Sequence, residues 1–261
     1  MKFAKKSLGQ NFLNDRNIIN KIINLTNIKN KNIIEIGPGK GALTEIILKK
    51  KPKTLSIIEK DTELYDELKN KYKNNNIIKI FNADILKFDI EKIVTKNSII
   101  FGNLPYNISS QILVKIIKFK KWPPKFNDLI FMFQKELGAK IVGTFPSKNY
   151  GRLSILSNYR LNIMGKFFVS PNCFTPKPKI ISMVIHFQPK NTETFNIKKI
   201  NNLEKITNIF FSNKRKMIKK KIQRLLKKNQ IDQIPEIDLN LRPSNISPDI
   251  YYKITELFER Q

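Results

Sequence analysis

Ile33-Ile34-Glu35-Ile36-Gly37-Pro38-Gly39-Lys40-Gly41 decides the fold class of this chain of 261 residues. A short, nearly continuous β-branched run of this kind reads as a strand covered on both faces. The glycine-rich turn after it lets backbone approach a ligand closely and aims the amides of the next helix, Ala42–Lys50, at that ligand. The turn reads G-x-G-x-G, not the G-x-G-x-x-G of a dinucleotide fingerprint, and alone it specifies only a tight strand-to-helix connection.

The same alternation repeats outward. Leu55–Glu59 is a strand candidate followed by a helix over Asp61–Tyr72. Ile77–Phe81 and Ser98–Phe101 read as strands, Ile108–Phe119 as a helix, and Leu129–Phe133 as a fifth strand. Strands alternating with helices predict a parallel, doubly wound α/β sheet. Leu161–Val169 and Ile180–Phe187 add two strands around a proline-rich loop (Pro171, Pro176, Pro178), giving seven. Polar Gln188–Asn196 marks a boundary, with an α/β domain over 1–190 and a small helical domain over 191–261. From Leu203 the period is helical, with Ile206, Ile209, Phe210, Met217, Ile222 and Leu225 on one face, and Ser247-Pro248 opens a last helix through Phe258.

Composition narrows the function classes. A single cysteine, Cys173, excludes an intramolecular disulfide and a multi-cysteine zinc site, and a single histidine, His186, leaves no histidine-based metal cluster. No run reaches the ~20 apolar residues of a membrane span, and Met1–Lys6 leads into no signal-peptide core. The expectation is a soluble cytoplasmic protein without a metal, acting as a monomer. The net charge of +28 points to a polyanion, nucleic acid first. Lys, Asn and Ile share AT-rich codons, so gene composition is a second source of that charge.

Three features stand just after successive strands. Besides the glycine turn, Glu59 ends the second strand, 18 residues beyond Gly41. A carboxylate there can accept from both hydroxyls of a ribose. Asp84 follows the third strand, where it can accept from an adenine amino group. Together they specify an adenosine-bearing cofactor, a nicotinamide dinucleotide or S-adenosylmethionine.

The fourth strand runs into Gly102-Asn103-Leu104-Pro105-Tyr106, which favours S-adenosylmethionine. An adenine amino nitrogen is a poor nucleophile because its lone pair is delocalised into the ring. The Asn103 side-chain amide and the Leu104 carbonyl, held extended by Pro105, can each accept one N–H and draw that nitrogen toward tetrahedral geometry. Tyr106 offers a flat face for the base. The residues thus read as adenine amino methylation, with DNA and both ribosomal RNAs open as targets.

Over nearly its whole length the chain resembles the KsgA family, the ribosomal RNA small-subunit adenine dimethyltransferases. The resemblance rests on Ser7–Leu13, Glu35–Gly39, Asn103–Ser109, Tyr150-Gly151-Arg152-Leu153-Ser154, Phe174–Lys179, Asn213–Lys216 and Leu241-Arg242-Pro243. It implies a seven-stranded, Rossmann-like methyltransferase domain whose cofactor lies against Asn11, Leu13, Gly37, Glu59, Asp84 and Asn103. It also implies that Phe174 stacks on a flipped adenine opposite Tyr106, completing a catalytic set with Asn103, Leu104 and Pro105. The implied reaction dimethylates N6 of two adjacent adenosines in a hairpin loop near the 3′ end of 16S rRNA, within an assembling small subunit. Lys40 and Lys177 fall at variable positions of the family pattern. A large-subunit RNA methyltransferase of the macrolide-resistance type shares the fold, but the Phe174–Lys179 loop and the tail favour the small subunit. A DNA methyltransferase lacks support, because no target-recognition region is evident. A non-catalytic RNA chaperone or transcription factor on the same fold is disfavoured by intact Asn11, Glu59, Asp84 and Asn103.

Lys214, Arg215, Lys216, Lys219, Lys220 and Arg224 form a basic stretch expected on one helix and expected to contact RNA phosphates. Cys173 lacks a partner base and reads as a small packing residue. His186, in a strand pattern, reads as structural, and Trp122 as a packed loop anchor.

Overall fold

The computed structural model describes residues 5, 8–190 and 194–260; Ser7 of the amino-terminal motif and most of Met1–Lys6 lie outside the described residues. In chain order the strands are β1 (Phe12–Leu13), β2 (Asn32–Ile36), β3 (Thr54–Glu59), β4 (Ile78–Asn82), β5 (Ser98–Asn103), β6 (Phe126–Gln134), β7 (Leu161–Val169), β8 (Phe174–Thr175) and β9 (Ser182–Pro189). The helices are α1 (Arg16–Ile23), α2 (Ala42–Lys49), α3 (Thr62–Lys71), α4 (Ser109–Ile117), α5 (Lys135–Ile141), α6 (Arg152–Arg160), α7 (Ile200–Phe211), α8 (Lys219–Ile222), α9 (Lys228–Ile231) and α10 (Pro248–Glu259).

The chain divides into two compact units, residues 1–138 with 162–189 and residues 139–161 with 190–261. The first holds a seven-stranded sheet in the order β4-β3-β2-β5-β6-β9-β7. β4, β3, β2, β5 and β6 run parallel, and β9 pairs antiparallel to β6. The chain moves outward from β2 through β3 to β4, then returns to lay β5 on the other side of β2. That reversal opens a crevice at the carboxyl ends of β2 and β5, where ligands of open α/β sheets bind. The isoleucine runs of β2 and β5 are buried along both faces, as parallel strands under helices must be. Apart from the sheet, β1 and β8 pair antiparallel, Leu13 opposite Phe174.

The second unit is helical. Residues 139–161, which the pattern reading places with the sheet, belong to it. Long-range bonds explain why: Tyr150 donates to the Ile246 carbonyl at 2.8 Å and Tyr252 to the Ile155 carbonyl at 3.0 Å. Phe210 meets Tyr251 edge-on, packing α7 against α10. The basic stretch is not one helix. Residues 212–216 form turns, α8 and α9 are single turns, and Met217 is 58% exposed, off the apolar face. The backbone N–H groups of Ile218 and Lys219 donate to Leu241 and Leu239 carbonyls instead of to the preceding helical turn.

Candidate active site

A cavity sits at the crevice beside β2 and β5. Its lining brings together Asn11, Leu13, Gly37, Glu59, Asp84 and Asn103, with Leu104, Pro105 and Tyr106 at one side. Four chain segments converge because their strands end at one edge of the sheet: Gly37 follows β2, Glu59 closes β3, Asp84 follows β4 and Asn103 closes β5.

Gly37, Gly39 and Gly41 all take positive φ, so the turn excludes ordinary side chains. A Cβ on Gly39 would lie 2.8 Å from the Phe12 ring. Phe12 therefore packs directly on the turn, and Lys40 extends its ammonium over the same ring. The amino-terminal segment is also tied down by its polar groups. Gln10 donates to one oxygen of Asp61 at 2.8 Å, and Lys5 bonds the other at 2.9 Å. Burial works against the charge on Asp61, yet these bonds hold its carboxyl below the usual range.

Glu59 is buried. Its Oε1 accepts from the Asp61 N–H at 2.9 Å and its Oε2 from the Gly39 N–H at 3.3 Å. Burial raises its pKa above the ordinary carboxylate value, opposed by those N–H groups. Each oxygen retains a lone pair for a ligand hydroxyl. Asp84 is held in the opposite sense. The Lys60 ammonium at 2.9 Å lowers its pKa, and the Leu86 N–H adds to the effect, so it stays ionised and acceptor-only.

Asn103 is oriented by its own amide. Its Nδ2 donates to the Asn11 carbonyl at 3.1 Å, which leaves Oδ1 as the acceptor end. Among the described residues nothing donates to Oδ1 or to the Leu104 carbonyl. Two unpaired oxygens on adjacent residues can thus accept both hydrogens of one amino group. Gly102 lets the Leu104 side chain and the Phe131 ring pack tightly on the strand end, because a Cβ there would lie 2.5 Å from Leu104 Cδ2 and 3.0 Å from Phe131. The Tyr106 hydroxyl bonds Ser182 Oγ at 2.6 Å, fixing the far end of the ring.

Phe174 is not brought to this cavity. It is 3% exposed, lies in the core with Ile19, Ile22 and Val169, and is absent from the lining. The cause is its pairing in the β1–β8 ladder, which turns the ring inward beside Leu13. Cys173 is buried beside it, 3.7 Å from Asp15. His186 bonds Asp128 at 2.7 Å within the sheet; Gln188 and Thr26 bond the same carboxylate. Trp122 packs edge-on against Phe126.

Gln10 stands in the sequence only as one member of the Ser7–Leu13 motif, and Lys60, Asp61 and Ser182 fall in no site motif. Asp61 had a local signal, a helix-capping residue two positions after Glu59. Ser182 had none, lying 76 positions from Tyr106.

The model of the family "Ribosomal RNA adenine dimethylase" matches residues 1–260. A protein named Ribosomal RNA small subunit methyltransferase A from Pelagibacter ubique (strain HTCC1062) is 48% identical over 257 residues, 98% of this chain and 97% of its own length. A protein of the same name from Francisella tularensis subsp. novicida (strain U112) is 41% identical, over 94% of this chain and 93% of its own. Among solved structures, a dimethyladenosine transferase from Plasmodium falciparum superposes with a TM-score of 0.76 at 25% identity, covering 95% of this chain and 98% of that one. The 23S rRNA methyltransferase ErmE superposes with a TM-score of 0.68 at 20% identity, over 95% and 100%, a likeness of fold.

Proposed function

The chain belongs to the ribosomal RNA adenine dimethylase family, and from that premise we propose that it methylates N6 of two adjacent adenosines in a hairpin loop near the 3′ end of small-subunit ribosomal RNA, using S-adenosylmethionine. The observation that carries this reading is the Asn103 amide, held by Asn11 so that its oxygen stands free beside the Leu104 carbonyl.

The lining fits an adenosine-bearing sulfonium. The glycine turn is an open backbone cradle, Glu59 can accept from the ribose hydroxyls, and Asp84 can accept from the adenine amino group. Leu13 and Asn11 cover the same cavity. S-adenosylmethionine supplies an electrophilic methyl group when bound. Asn103 Oδ1 and the Leu104 carbonyl each accept one N–H of the target adenine, which localises the lone pair on its nitrogen. Tyr106, anchored through Ser182, gives the base a flat support, and orientation supplies most of the acceleration. The proton released on methylation passes to water, because the cationic product nitrogen is strongly acidic. Phe174 can serve as the second stacking face only if the β1–β8 ladder opens, so that part of the expected set requires rearrangement. Lys214, Arg215, Lys216, Lys219, Lys220 and Arg224 supply sequence-independent phosphate contacts in the assembling subunit.

The test is labelled methyl transfer into small subunits that lack the modification, beside large subunits and DNA. Label should enter only small-subunit RNA, and reverse transcription should stop at two neighbouring adenosines whose pairing donor is lost. Label confined to large subunits or DNA, or no label, overturns the reading.

A further inference from the structure

We propose that the helical unit carries a second, non-catalytic nucleotide seat, in which converging lysine and arginine side chains take one phosphate of the substrate RNA and Phe211 supports its base. The seat is a cavity of about 790 Å³ built entirely from residues of that unit, within the ~300–1,000 Å³ range of small-ligand sites. The proposal rests on RNA being the substrate.

Among the described residues six cationic side chains line the cavity, Lys140, Lys148, Arg152, Lys214, Arg215 and Arg242, and no carboxylate does. Only Arg152 has an ionic partner among the described residues, Glu204 at 3.2 Å. Even so, the Nε of Arg152 is buried with no acceptor. The Arg152 side chain as a whole is 37% exposed, so an anion in the cavity can meet its open part while Nε stays covered. Like charges gathered around one concavity repel each other unless an anion joins them.

The geometry points to a nucleotide more than to a bare anion. α6, nine residues long, starts at Arg152 in the lining, with no acidic residue in its first turn, so its positive end adds to the field. Phe211, half-buried, supplies an aromatic surface beside those charges. Ser147, Asn149 and Asn245 add neutral hydrogen-bonding groups. Phosphate on guanidinium and ammonium groups with a base on an aromatic ring is how single-stranded RNA is held without sequence reading.

This separates two kinds of cation. Lys214 and Arg215 line the cavity, whereas Lys216, Lys219, Lys220 and Arg224, equally exposed, lie outside its lining. The second group contributes a general field; the first, with Lys140, Lys148, Arg152 and Arg242, makes directed bonds.

The experiment uses the full chain and a fluorescent single-stranded oligoadenylate. Lys148→Ala with Arg242→Ala and Lys219→Ala with Lys220→Ala each remove two charges. The cavity pair should weaken binding about tenfold more than the outer pair, since hydrogen bonds to charged groups are the stronger class. Phe211→Leu should weaken oligoadenylate binding about fivefold or more while leaving an abasic oligonucleotide of equal length unaffected. Equal losses for the two double variants overturn the seat, even if Phe211→Leu proves unstable by thermal melting. Equal losses on both oligonucleotides in a folded Phe211→Leu protein overturn the role of the ring. Methyl transfer by the unaltered chain reports separately on the activity: label in small-subunit RNA together with equal double-variant losses would sink the seat and leave the activity standing.

Discussion

The two cavities of this protein are lined in opposite ways. The one at the sheet crevice is lined by Glu59 and Asp84, whose charges are managed by backbone N–H groups and by Lys60, and by acceptors such as Asn103 Oδ1 whose direction is fixed. Among the described residues, the one in the helical unit has six cations, no lining carboxylate and a single ion-paired arginine. On the proposed reading the first distinguishes hydroxyls, an amino group and a sulfonium, where geometry matters more than charge, and the second distinguishes only anionic from neutral. Chemistry and specificity for the modified atom should therefore fail through loss of direction at the first, and affinity should fail through loss of charge at the second.

The largest test of that contrast is Asn103→Ala. It removes one of two directed acceptors and also releases the Asn11 carbonyl. By analogy with other preorganised groups, single-turnover methyl transfer should fall about 10²–10³-fold, with RNA affinity unchanged. Near-normal turnover would break the contrast. Glu59→Gln is next. Its amide replaces a carboxylate that takes two backbone N–H groups, and affinity for S-adenosylhomocysteine should drop about tenfold or more by calorimetry. Because burial raises the Glu59 pKa, affinity in the parent should decline on acidification from above the ordinary carboxylate range, as protonation removes an acceptor. The variant should show no such decline; a parallel profile would remove Glu59 from the ligand contacts.

The directed cavity was the more legible in sequence, for a physical reason. Gly37, Glu59, Asp84 and Asn103 each follow a strand whose apolar run is local, and a parallel sheet places all such ends at one edge. Phe174 had no such signal. Its inward orientation comes from pairing with Leu13, a partner 161 positions away. The basic stretch looked helical because Ile222 and Leu225 recur at helical spacing. Strand-like bonds from Ile218 and Lys219 to the 239–241 segment interrupt it, and no local pattern encodes those partners. Likewise, residues 139–161 join the helical unit through tyrosine hydroxyls bound about a hundred positions away.

Glu35, under the glycine turn, sharpens the acidic side. It is fully buried, Thr44 bonds one oxygen at 2.6 Å, and the other has no partner. Burial, with a smaller push from Glu59, raises its pKa from 4.5 to about 7. The folded state thus binds this proton more tightly than the unfolded chain does. The stability it contributes is complete below pH 4.5 and is lost as pH rises to about 7. Glu35→Gln carries no proton to lose, so its stability relative to the parent should rise by up to about 1.4 kcal/mol per pH unit across that window and then level off. Urea unfolding midpoints over the window measure this; a constant difference would mean Glu35 is already ionised in the fold.

The smallest effect separates cations proposed to bind RNA from cations that build the unit. Lys221 belongs to the same run as Lys219 and Lys220, yet its ammonium turns back onto the Phe210 and Asn213 carbonyls, at and just beyond the end of α7. Carbonyls at a helix C-terminus have no intrahelical donor, and a cation there also meets the negative end of the dipole. Partial burial lowers the Lys221 pKa, and Lys216 adds repulsion. Lys221→Ala should therefore cost about 1 kcal/mol of stability with only a marginal change in oligoadenylate affinity. The Lys219→Ala, Lys220→Ala pair should do the reverse, lowering affinity at low salt with the melting temperature unchanged. If both weakened RNA binding equally, Lys221 would belong to the general field, and its bonds to the Phe210 and Asn213 carbonyls would have to yield when RNA binds.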